Sequence, residues 1–246
     1  MARFFVDKKD IKENYITIAG SEAHHIGTVL RLGINDEISL FDQNGAEYRG
    51  IIVEKSRRTI RVKIKSKTPC GYKAPISIVL GQALVKGKKM DIIVQKATEL
   101  GAAAIIPFCS MRSIPRIDER SATEKVAHWQ KIAVEAAKQS GRLPAPQVEP
   151  VQEFREIIHR DFDGFLKIIL WEEETERALH AVLTQNPDHT SLLCLVGPEG
   201  GFAQEEVNSA MRHGFIPVSL GKAILRTETA SIALLAILQY EAGVLG

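Results

Sequence analysis

The pattern of apolar and polar positions changes near residue 70. Before it, short apolar runs alternate with polar residues and are separated by turn residues. After it, apolar runs of five or six residues alternate with stretches of helical periodicity. The first pattern is typical of a small β-rich unit such as a barrel, and the second of helices packed on a parallel sheet. The pattern therefore predicts an α/β protein with two domains, residues 1–70 and residues 71–246, joined through the turn-rich segment 69–75.

One strand of the first domain carries a row of positive charge. Residues 59–65 alternate strictly, which places three apolar side chains on one face and Arg61, Lys63 and Lys65 on the other. Such a row could follow a nucleic-acid backbone, because Lys and Arg contacts to phosphates supply affinity without reading sequence. The alternative is the solvated face of an edge strand, where lysine discourages pairing with other chains.

The second domain is predicted to alternate strands and helices. Strands are expected over 76–80, 103–107, 165–170, 191–196 and 215–220, with helices over 86–100 and from 121 to about 140. The last helix is predicted to be capped by Thr227 or Thr229. Because residues 230–238 are almost all apolar, that helix is expected to be buried on every side, either inside the domain or at a subunit interface.

Two glycine-containing turns follow predicted strands close to the C-terminus. The run 192–196 is followed by Gly197-Pro198-Glu199-Gly200-Gly201-Phe202, and Leu220-Gly221-Lys222 leads into residues 224–230. Ligands of open α/β sheets bind outside the carboxyl ends of the strands, where glycine lets bare backbone approach them. The two turns are therefore predicted to form two walls of one pocket. Ordinary turn chemistry is the alternative interpretation of each turn.

The chemistry of these turns argues against a phosphate ligand. They lack the Gly-Lys-Ser/Thr ending of a phosphate-binding loop and the full dinucleotide spacing. Glu199, Glu205 and Glu206 surround the start of the next helix, where carboxylates complement the helix dipole but repel anions. An uncharged or cationic ligand suits this pocket better, and a nucleotide-hydrolysing enzyme is excluded.

Composition and charge fit a globular protein with an acidic partner. Of the 246 residues, 45% are apolar and 25% charged, and no apolar run approaches the roughly 20 residues of a membrane span. Residues 1–70 carry 13 Lys/Arg and 9 Asp/Glu, a net +4, whereas the net charge of the whole chain is +2. The three cysteines have neither disulfide-framework nor metal-ligand spacing, and the early charges do not fit a secretory signal. These features predict a cytoplasmic protein without a metal or membrane partner.

The glycine turns also carry a family resemblance. Residues 197–202 (GPEGGF) and 225–230 (LRTETA) look like the RsmE family, and further matches run in order through the chain: His25 with Val29-Leu30-Arg31, KATELG at 96–101, Arg112-Ser113 and EAAKQSGR at 135–142. The family comprises S-adenosylmethionine-dependent SPOUT methyltransferases that act on ring nitrogen 3 of a uridine in small-subunit ribosomal RNA. The resemblance implies a PUA-like RNA-binding β-barrel domain, a parallel-sheet SPOUT domain with a trefoil knot, and a homodimer.

The resemblance also assigns roles to individual residues. Arg226 is expected to stabilise the uracil anion, and Glu228 to act as the base or to orient Arg226; a pair that only orders the helix start is the alternative. Residues expected to bind the cofactor are Leu170, Val196, Gly197, Glu199, Gly201, Leu220, Gly221, Ile224, Leu225, Arg226, Thr229 and Ala230. The basic residues expected to contact RNA are Arg3, Arg31, Arg112 and Arg142, together with the charged row Arg61, Lys63 and Lys65.

Two positions depart from the family pattern, and one other function stays open. Ala203 stands where relatives commonly have a serine that caps the helix. The loss of such a cap lowers local stability by on the order of 1 kcal/mol. Ala223 replaces a basic residue that is frequent before the Ile-Leu-Arg run. The competing function is a non-catalytic RNA-binding or ribosome-assembly factor that retains a vestigial pocket.

Overall fold

The computed structural model describes residues 3–42, 44–69, 74–113, 118–142 and 144–245. Backbone contacts divide the chain into two compact units. The first unit contains Met1–Lys73 and Ala137–Ala145, and the second contains Ala74–Ala136 and Pro146–Gly246. The predicted boundary between residues 70 and 71 lies outside the described residues. Within the first unit, the Lys138 ammonium lies 4.3 Å from the centre of the Phe5 ring.

The first unit is built on a six-stranded sheet of order β1-β4-β5-β6-β3-β2. All neighbouring strands are antiparallel except the parallel pair β1 and β4. The strands are β1 (Arg3–Phe5), β2 (Ile11–Lys12), β3 (Tyr15–Ala19), β4 (Glu37–Phe41), β5 (Glu47–Lys55) and β6 (Thr59–Thr68). The predicted alternation on β6 is confirmed, since Ile60 and Val62 are fully buried. The edge-strand alternative is wrong, because β6 pairs with β3 on one side and β5 on the other.

A short helical segment follows β3. It consists of α1 (Gly20–His24) and one π-helical turn (His25–Val29), and a separate 3-10 turn (Lys8–Asp10) lies between β1 and β2. Ala23 and Ile26 point into the core of this unit, with Ile16, Leu40 and Ile52 among their neighbours in the same apolar cluster. The apolar residues of the segment therefore close one side of the sheet.

The second unit is a parallel sheet with helices on both faces. Its strands are β7 (Ser77–Ala83), β8 (Ala104–Cys109), β9 (Gln147–Val148), β10 (Gln152–Glu153), β11 (Leu166–Leu170), β12 (Ser191–Val196) and β13 (Ile216–Val218). They follow the order β10-β8-β7-β12-β11-β13, with β9 paired to β8. The helices are α2 (Lys89–Glu99), α3 (Glu119–Ser140), α4 (Phe154–His159), α5 (Leu179–Gln185), α6 (Gln204–Arg212) and α7 (Thr227–Glu241).

Alternate residues of the central strands pack against opposite helical layers. One apolar cluster joins one face of the sheet to α2, α3, α5 and α7, and the other joins the opposite face to α4 and α6. In β12, Leu192 and Cys194 belong to the first cluster, whereas Leu193 and Leu195 belong to the second. Both faces are covered, which explains the uninterrupted apolar run in the sequence. Burial raises the pKa of Cys194 to about 12, so its thiol stays protonated at neutral pH.

Helix α7 differs from its prediction in two respects. It is not buried on every side within this chain, since Leu234 and Leu238 are buried but Ile237 is 36% and Tyr240 67% exposed. Burial of the exposed side at a subunit interface, the other expected possibility, stays a prediction. A threonine does not cap it: Arg226 occupies the cap position without a side-chain hydrogen bond. An apolar helix sequence shows which side chains would be stabilised by burial. Which of them are buried depends on the elements that pack against the helix. The trefoil knot implied by the resemblance stays a prediction.

Candidate functional site

The two glycine turns meet at one edge of the parallel sheet. Because β12 and β13 both pair in parallel with β11, their carboxyl ends lie at the same edge. The turn that follows β12 and the segment between β13 and α7 enclose a cavity of about 380 Å³ at this edge. The predicted pocket with two walls is therefore present in the structure.

The cavity collects almost all of the residues predicted to bind the cofactor. Those that line it are Leu170, Val196, Gly197, Glu199, Gly201, Leu220, Gly221, Ile224, Leu225, Arg226 and Ala230. Thr229 is exposed in the first turn of α7 and does not belong to the lining. The roles of all these residues in cofactor binding stay predictions, but the segments around residues 170, 197 and 221 do converge on one cavity.

Several lining residues were not among those expected to bind the cofactor. These are Lys89, Trp171, Glu172, Pro198, Val218, Ser219, Lys222, Ala223 and Thr227. Most of them are chain neighbours of predicted residues, so extending each predicted segment by one or two positions finds them. Lys89 is different, because it begins α2, and only tertiary packing brings α2 to the cavity.

Two glycines of the lining have backbone conformations that favour glycine. Gly201 has a φ of +66° and Gly221 a φ of +123°. A Cβ atom on Gly201 would stand 1.6 Å from Oε1 of Glu172, so the missing side chain leaves room for that carboxylate. A Cβ atom on Gly221 would meet nothing within 4 Å. The glycine turns therefore shape the cavity through backbone conformation and, at Gly201, through close packing.

A cation and two carboxylates form a polar cluster beside the cavity. Lys89 Nζ lies 3.1 Å from Glu199 Oε1 and 3.6 Å from Glu228 Oε2. The hydrogen bond to Glu199 raises the pKa of Lys89. Burial acts to raise the pKa of Glu199, but hydrogen bonds from Lys89 and backbone amides outweigh it and hold that pKa below its ordinary value of 4.5. Both groups are therefore charged at neutral pH.

The two predicted catalytic residues lie close to the cavity but do not pair with each other. Arg226 is exposed and lines the cavity, and its guanidinium has no hydrogen-bond or ion-pair partner in the described part of the chain. Glu228 is half-buried, and its Oε2 is shielded from solvent without a hydrogen bond; the 3.6 Å approach of Lys89 is an ion pair only. The alternative interpretation, an Arg226–Glu228 pair that orders the helix start, finds no support among the described contacts.

Arg112 is attached to the same edge of the sheet. Its Nη1 donates to the carbonyl oxygen of Gly200 at 3.0 Å. The buried carboxylate of Glu206 accepts from the amides of Met111 at 2.8 Å and Ala203 at 3.0 Å. Glu206 therefore joins the loop after β8 to the start of α6, and it is not one of the residues that line the cavity. Of the three glutamates predicted around this helix start, only Glu199 lines the cavity.

The remaining basic residues predicted to contact RNA belong to the first unit. On β6, Arg61 stacks 4.3 Å from the Tyr15 ring centre and bonds Glu54, Lys65 pairs with Glu37 at 3.2 Å, and Lys63 is exposed. Arg31 is exposed with a φ of +57°, and Arg142 is half-buried just after α3. The side chain of Arg3 lies outside the described part of the structure. The charged row of β6 is therefore present on a solvent-facing surface.

Within the described ranges, no group of three or more His, Cys, Asp or Glu residues is arranged to hold a metal ion. No helix in those ranges combines the length and apolarity needed to cross a membrane.

Family models match both parts of this chain, and proteins with known names match nearly its whole length. The model of an RNA methyltransferase domain matches residues 72–239, and that of an RNA methyltransferase PUA domain matches residues 18–65. Ribosomal RNA small subunit methyltransferase E of Bacillus subtilis is 35% identical, over 98% of this chain and 97% of the relative. The Neisseria gonorrhoeae protein of that name, solved bound to S-adenosyl methionine, is 31% identical with a TM-score of 0.82, over 98% and 97% of the two chains. A Legionella pneumophila protein solved with the same cofactor is 27% identical with a TM-score of 0.77, over 97% and 96%.

Proposed function

The chain belongs to the RNA methyltransferase family that includes ribosomal RNA small subunit methyltransferase E, and on that premise we propose that it methylates ring nitrogen 3 of a uridine in small-subunit ribosomal RNA. The methyl donor is S-adenosylmethionine. The observation that carries this proposal is the convergence of Leu170, the turn at 197–201 and the turn at 220–226 on one cavity. An intact cavity lined by Arg226, whose guanidinium has no partner among the described residues, supports the enzyme over a non-catalytic RNA-binding or assembly factor.

The chemistry of the lining fits the proposed donor. S-adenosylmethionine supplies an electrophilic methyl group on a positively charged sulfur. Leu170, Leu220 and Leu225 offer apolar surface for the adenine ring, and the backbone at the glycine turns offers hydrogen-bonding groups without intervening side chains. The carboxylates of Glu172 and Glu199 also line the cavity, and negative charge favours a cationic ligand over a phosphate.

Arg226 is the residue we assign to stabilising charge on the uracil ring. Methylation at nitrogen 3 requires loss of the imide proton, which leaves negative charge on the pyrimidine. A guanidinium is permanently charged and presents a planar set of donors, so it can hold that charge without changing its own protonation. The absence of a described side-chain partner leaves Arg226 available for this role. Glu228, held near Lys89, is the candidate to accept the proton or to orient Arg226.

RNA binding is assigned to basic residues of both units. In the first unit, the row Arg61, Lys63 and Lys65 would contact phosphates together with Arg3, Arg31 and Arg142. In the second unit, Arg112 is the proposed contact, because its bond to Gly200 holds it beside the turn that lines the cavity. Phosphate contacts supply affinity, so the choice of uridine must come from contacts near the cavity.

Exposed apolar side chains on α2 and α7 support the proposed homodimer. Ile92 of α2 is 46% exposed, and Ile237 and Tyr240 of α7 are also exposed. Helices α2 and α7 pack against each other, and a contiguous apolar patch on such a surface commonly marks an interface between chains. We place the protein in the cytoplasm, where its ribosomal substrate is assembled and where unpaired cysteines persist.

Mass spectrometry of ribosomal RNA nucleosides tests the proposed function. RNA from small subunits of cells with and without this protein is digested and compared. The proposal predicts that 3-methyluridine is present only when the protein is present, and that adding back the wild-type chain restores it. An unchanged content of 3-methyluridine, combined with RNA binding but no donor binding in calorimetry, would instead establish the non-catalytic alternative.

A further inference from the structure

Gln82 is a polar residue near the end of the central strand β7, which is otherwise apolar except for Ser77 at its start. It lies in β7 between β12 and β8, with Val196 and Pro107 as its partners in register. The apolar residues Ile78 and Leu80 of β7 face the layer that contains α7, and Gln82 shares their face by alternation. Its side chain is fully buried. A buried carboxamide is costly unless every polar atom is satisfied, so its partners matter.

The carboxamide is satisfied by the beginning of α7. Its Nε2 donates to Thr227 Oγ1 at 3.1 Å and to the carbonyl oxygen of Ala83 at 3.0 Å. Its Oε1 accepts a short hydrogen bond from Ser231 Oγ, whose single proton is shared with the carbonyl oxygen of Thr227 at 3.0 Å. Thr227 Oγ1 in turn donates to the carbonyl oxygen of Gly197 at 2.7 Å. Thr227 and Ser231 are themselves buried.

The donor and the acceptor of each bond around Thr227 can be assigned, and the assignment fixes the orientation of the Gln82 amide. The carbonyl of Gly197 can only accept, so the single proton of the Thr227 hydroxyl is used there. Thr227 Oγ1 must then accept, and only the NH₂ end of the Gln82 amide can donate to it. The oxygen of the amide is left to face Ser231. The chain of donors therefore runs from Ser231 through Gln82 and Thr227 to Gly197.

This chain connects the two walls of the cavity. Gly197 begins the turn that follows β12, and Thr227 stands directly between Arg226 and Glu228. Gln82 lies 145 residues from Thr227 in the sequence, and it belongs to neither wall. The backbone of Gln82 is held in the sheet between β12 and β8, so its carboxamide anchors the start of α7, and through Thr227 the Gly197 turn, to the sheet.

We propose that Gln82 is a positioning residue for methyl transfer: its carboxamide fixes the start of α7 against the Gly197 turn and so sets where Arg226 stands relative to the cavity. This inference rests on the proposed function. Gln82 does not line the cavity, so its effect passes through Thr227. A residue that served stability alone would leave turnover unchanged as long as the protein stayed folded.

The test compares four variants of the full-length protein in a methylation assay at saturating donor and RNA. Gln82→Met and Thr227→Val break the chain of donors from its two sides, and Thr227→Ser keeps the hydroxyl. Thr98→Val is the matched control, because Thr98 is a buried threonine of α2 whose hydroxyl, among the described residues, bonds only Val94 of its own helix. We expect kcat to fall roughly ten- to hundredfold in Gln82→Met and Thr227→Val, the usual effect of a misplaced group. Thr227→Ser and Thr98→Val should stay within about threefold of the wild type.

Hydrogen exchange on the protein without donor supplies a second readout. Gln82→Met should speed exchange in the amides of both 197–203 and 227–232, whereas Thr98→Val should change only α2. If Gln82→Met misfolds, the inference is tested by comparing kcat of Thr227→Val, which should fall, with kcat of Thr227→Ser, which should not. Wild-type kcat in both chain-breaking variants, with exchange unchanged at the two walls, overturns the inference and leaves the proposed function standing. A wild-type protein that methylates no uridine overturns the proposed function and the inference with it.

Discussion

The ammonium group of Lys89 bonds the carboxylate of Glu199 at 3.1 Å, and both side chains face the same cavity. The two residues are 110 positions apart in the chain. Their bond ties the start of α2 to the glycine turn after β12, and Lys89 also approaches Glu228 at the start of α7. Three separate elements therefore share one charge cluster at the edge of the cavity.

The charge of Glu199 should contribute to stability in a defined range of pH. Its pKa is lower in the folded protein than its ordinary value of 4.5, so folding favours the ionised form. The contribution is therefore complete above pH 4.5 and is lost as the pH falls through the lower, folded-state pKa. Urea denaturation of the wild type between pH 6 and pH 3, about the range where carboxylates titrate, should show a steeper loss of stability than Glu199→Gln. Glu173→Gln, at an exposed position, is the control. Parallel curves for wild type and Glu199→Gln would contradict the assignment.

Arg226→Ala should keep donor binding and lose turnover. Removal of one group that stabilises developing charge typically lowers kcat by roughly 10²- to 10³-fold. Calorimetry should give a donor Kd close to that of the wild type, because the lining around Arg226 is mostly backbone and apolar side chains. Arg226→Lys tests whether the planar donor set is needed in addition to charge. Arg212→Ala removes an exposed arginine of α6 and should leave kcat unchanged. Normal turnover by Arg226→Ala would end the assignment.

Gly201→Ala should weaken donor binding more than its effect on stability explains. The positive φ strains any residue with a side chain, at a cost of about 1–2 kcal/mol. The new Cβ would also force Glu172 out of its place at the cavity, since its carboxylate occupies that space. Gly214→Ala is matched in strain, with a φ of +83°, but meets no atom within 4 Å. Thermal unfolding should show a similar loss of stability in Gly201→Ala and Gly214→Ala, whereas the donor Kd should rise only for Gly201→Ala. A Kd that rises equally in both variants would contradict the role given to Glu172.

Glu206→Gln should destabilise the loop that carries Arg112. Glu206 accepts from two backbone amides, and a glutamine has only one oxygen to offer them. One buried donor is left facing an NH₂ group, which costs about 1–3 kcal/mol in the free energy of unfolding. Glu205→Gln is the control, because Glu205 is an exposed neighbour on the same helix. RNA affinity should fall with Glu206→Gln, since Arg112 loses its fixed place beside Gly200. Equal unfolding free energies for the two variants would show that Glu206 is not a structural acceptor.

The sequence was informative where local pattern decides structure. The run before Gly197 and the alternation of 59–65 led to a buried strand and to β6, because strand periodicity is set by neighbours along the chain. The convergence of the two glycine turns followed from a general rule for parallel sheets. Tertiary contacts escaped prediction: no local signal connects Lys89 to Glu199 or Gln82 to Thr227. The edge-strand alternative for β6 and burial of Ile237 inside the domain were wrong for the same reason, since both depend on what packs beside them.

The most direct test of the account is transfer of an isotopically labelled methyl group from S-adenosylmethionine to small-subunit ribosomal RNA by the purified protein. The modified nucleoside is then identified by mass spectrometry, with Arg226→Ala measured in parallel. The account predicts label on nitrogen 3 of a single uridine with the wild type and almost none with the variant. Label on another atom, or equal label with both proteins, would contradict it.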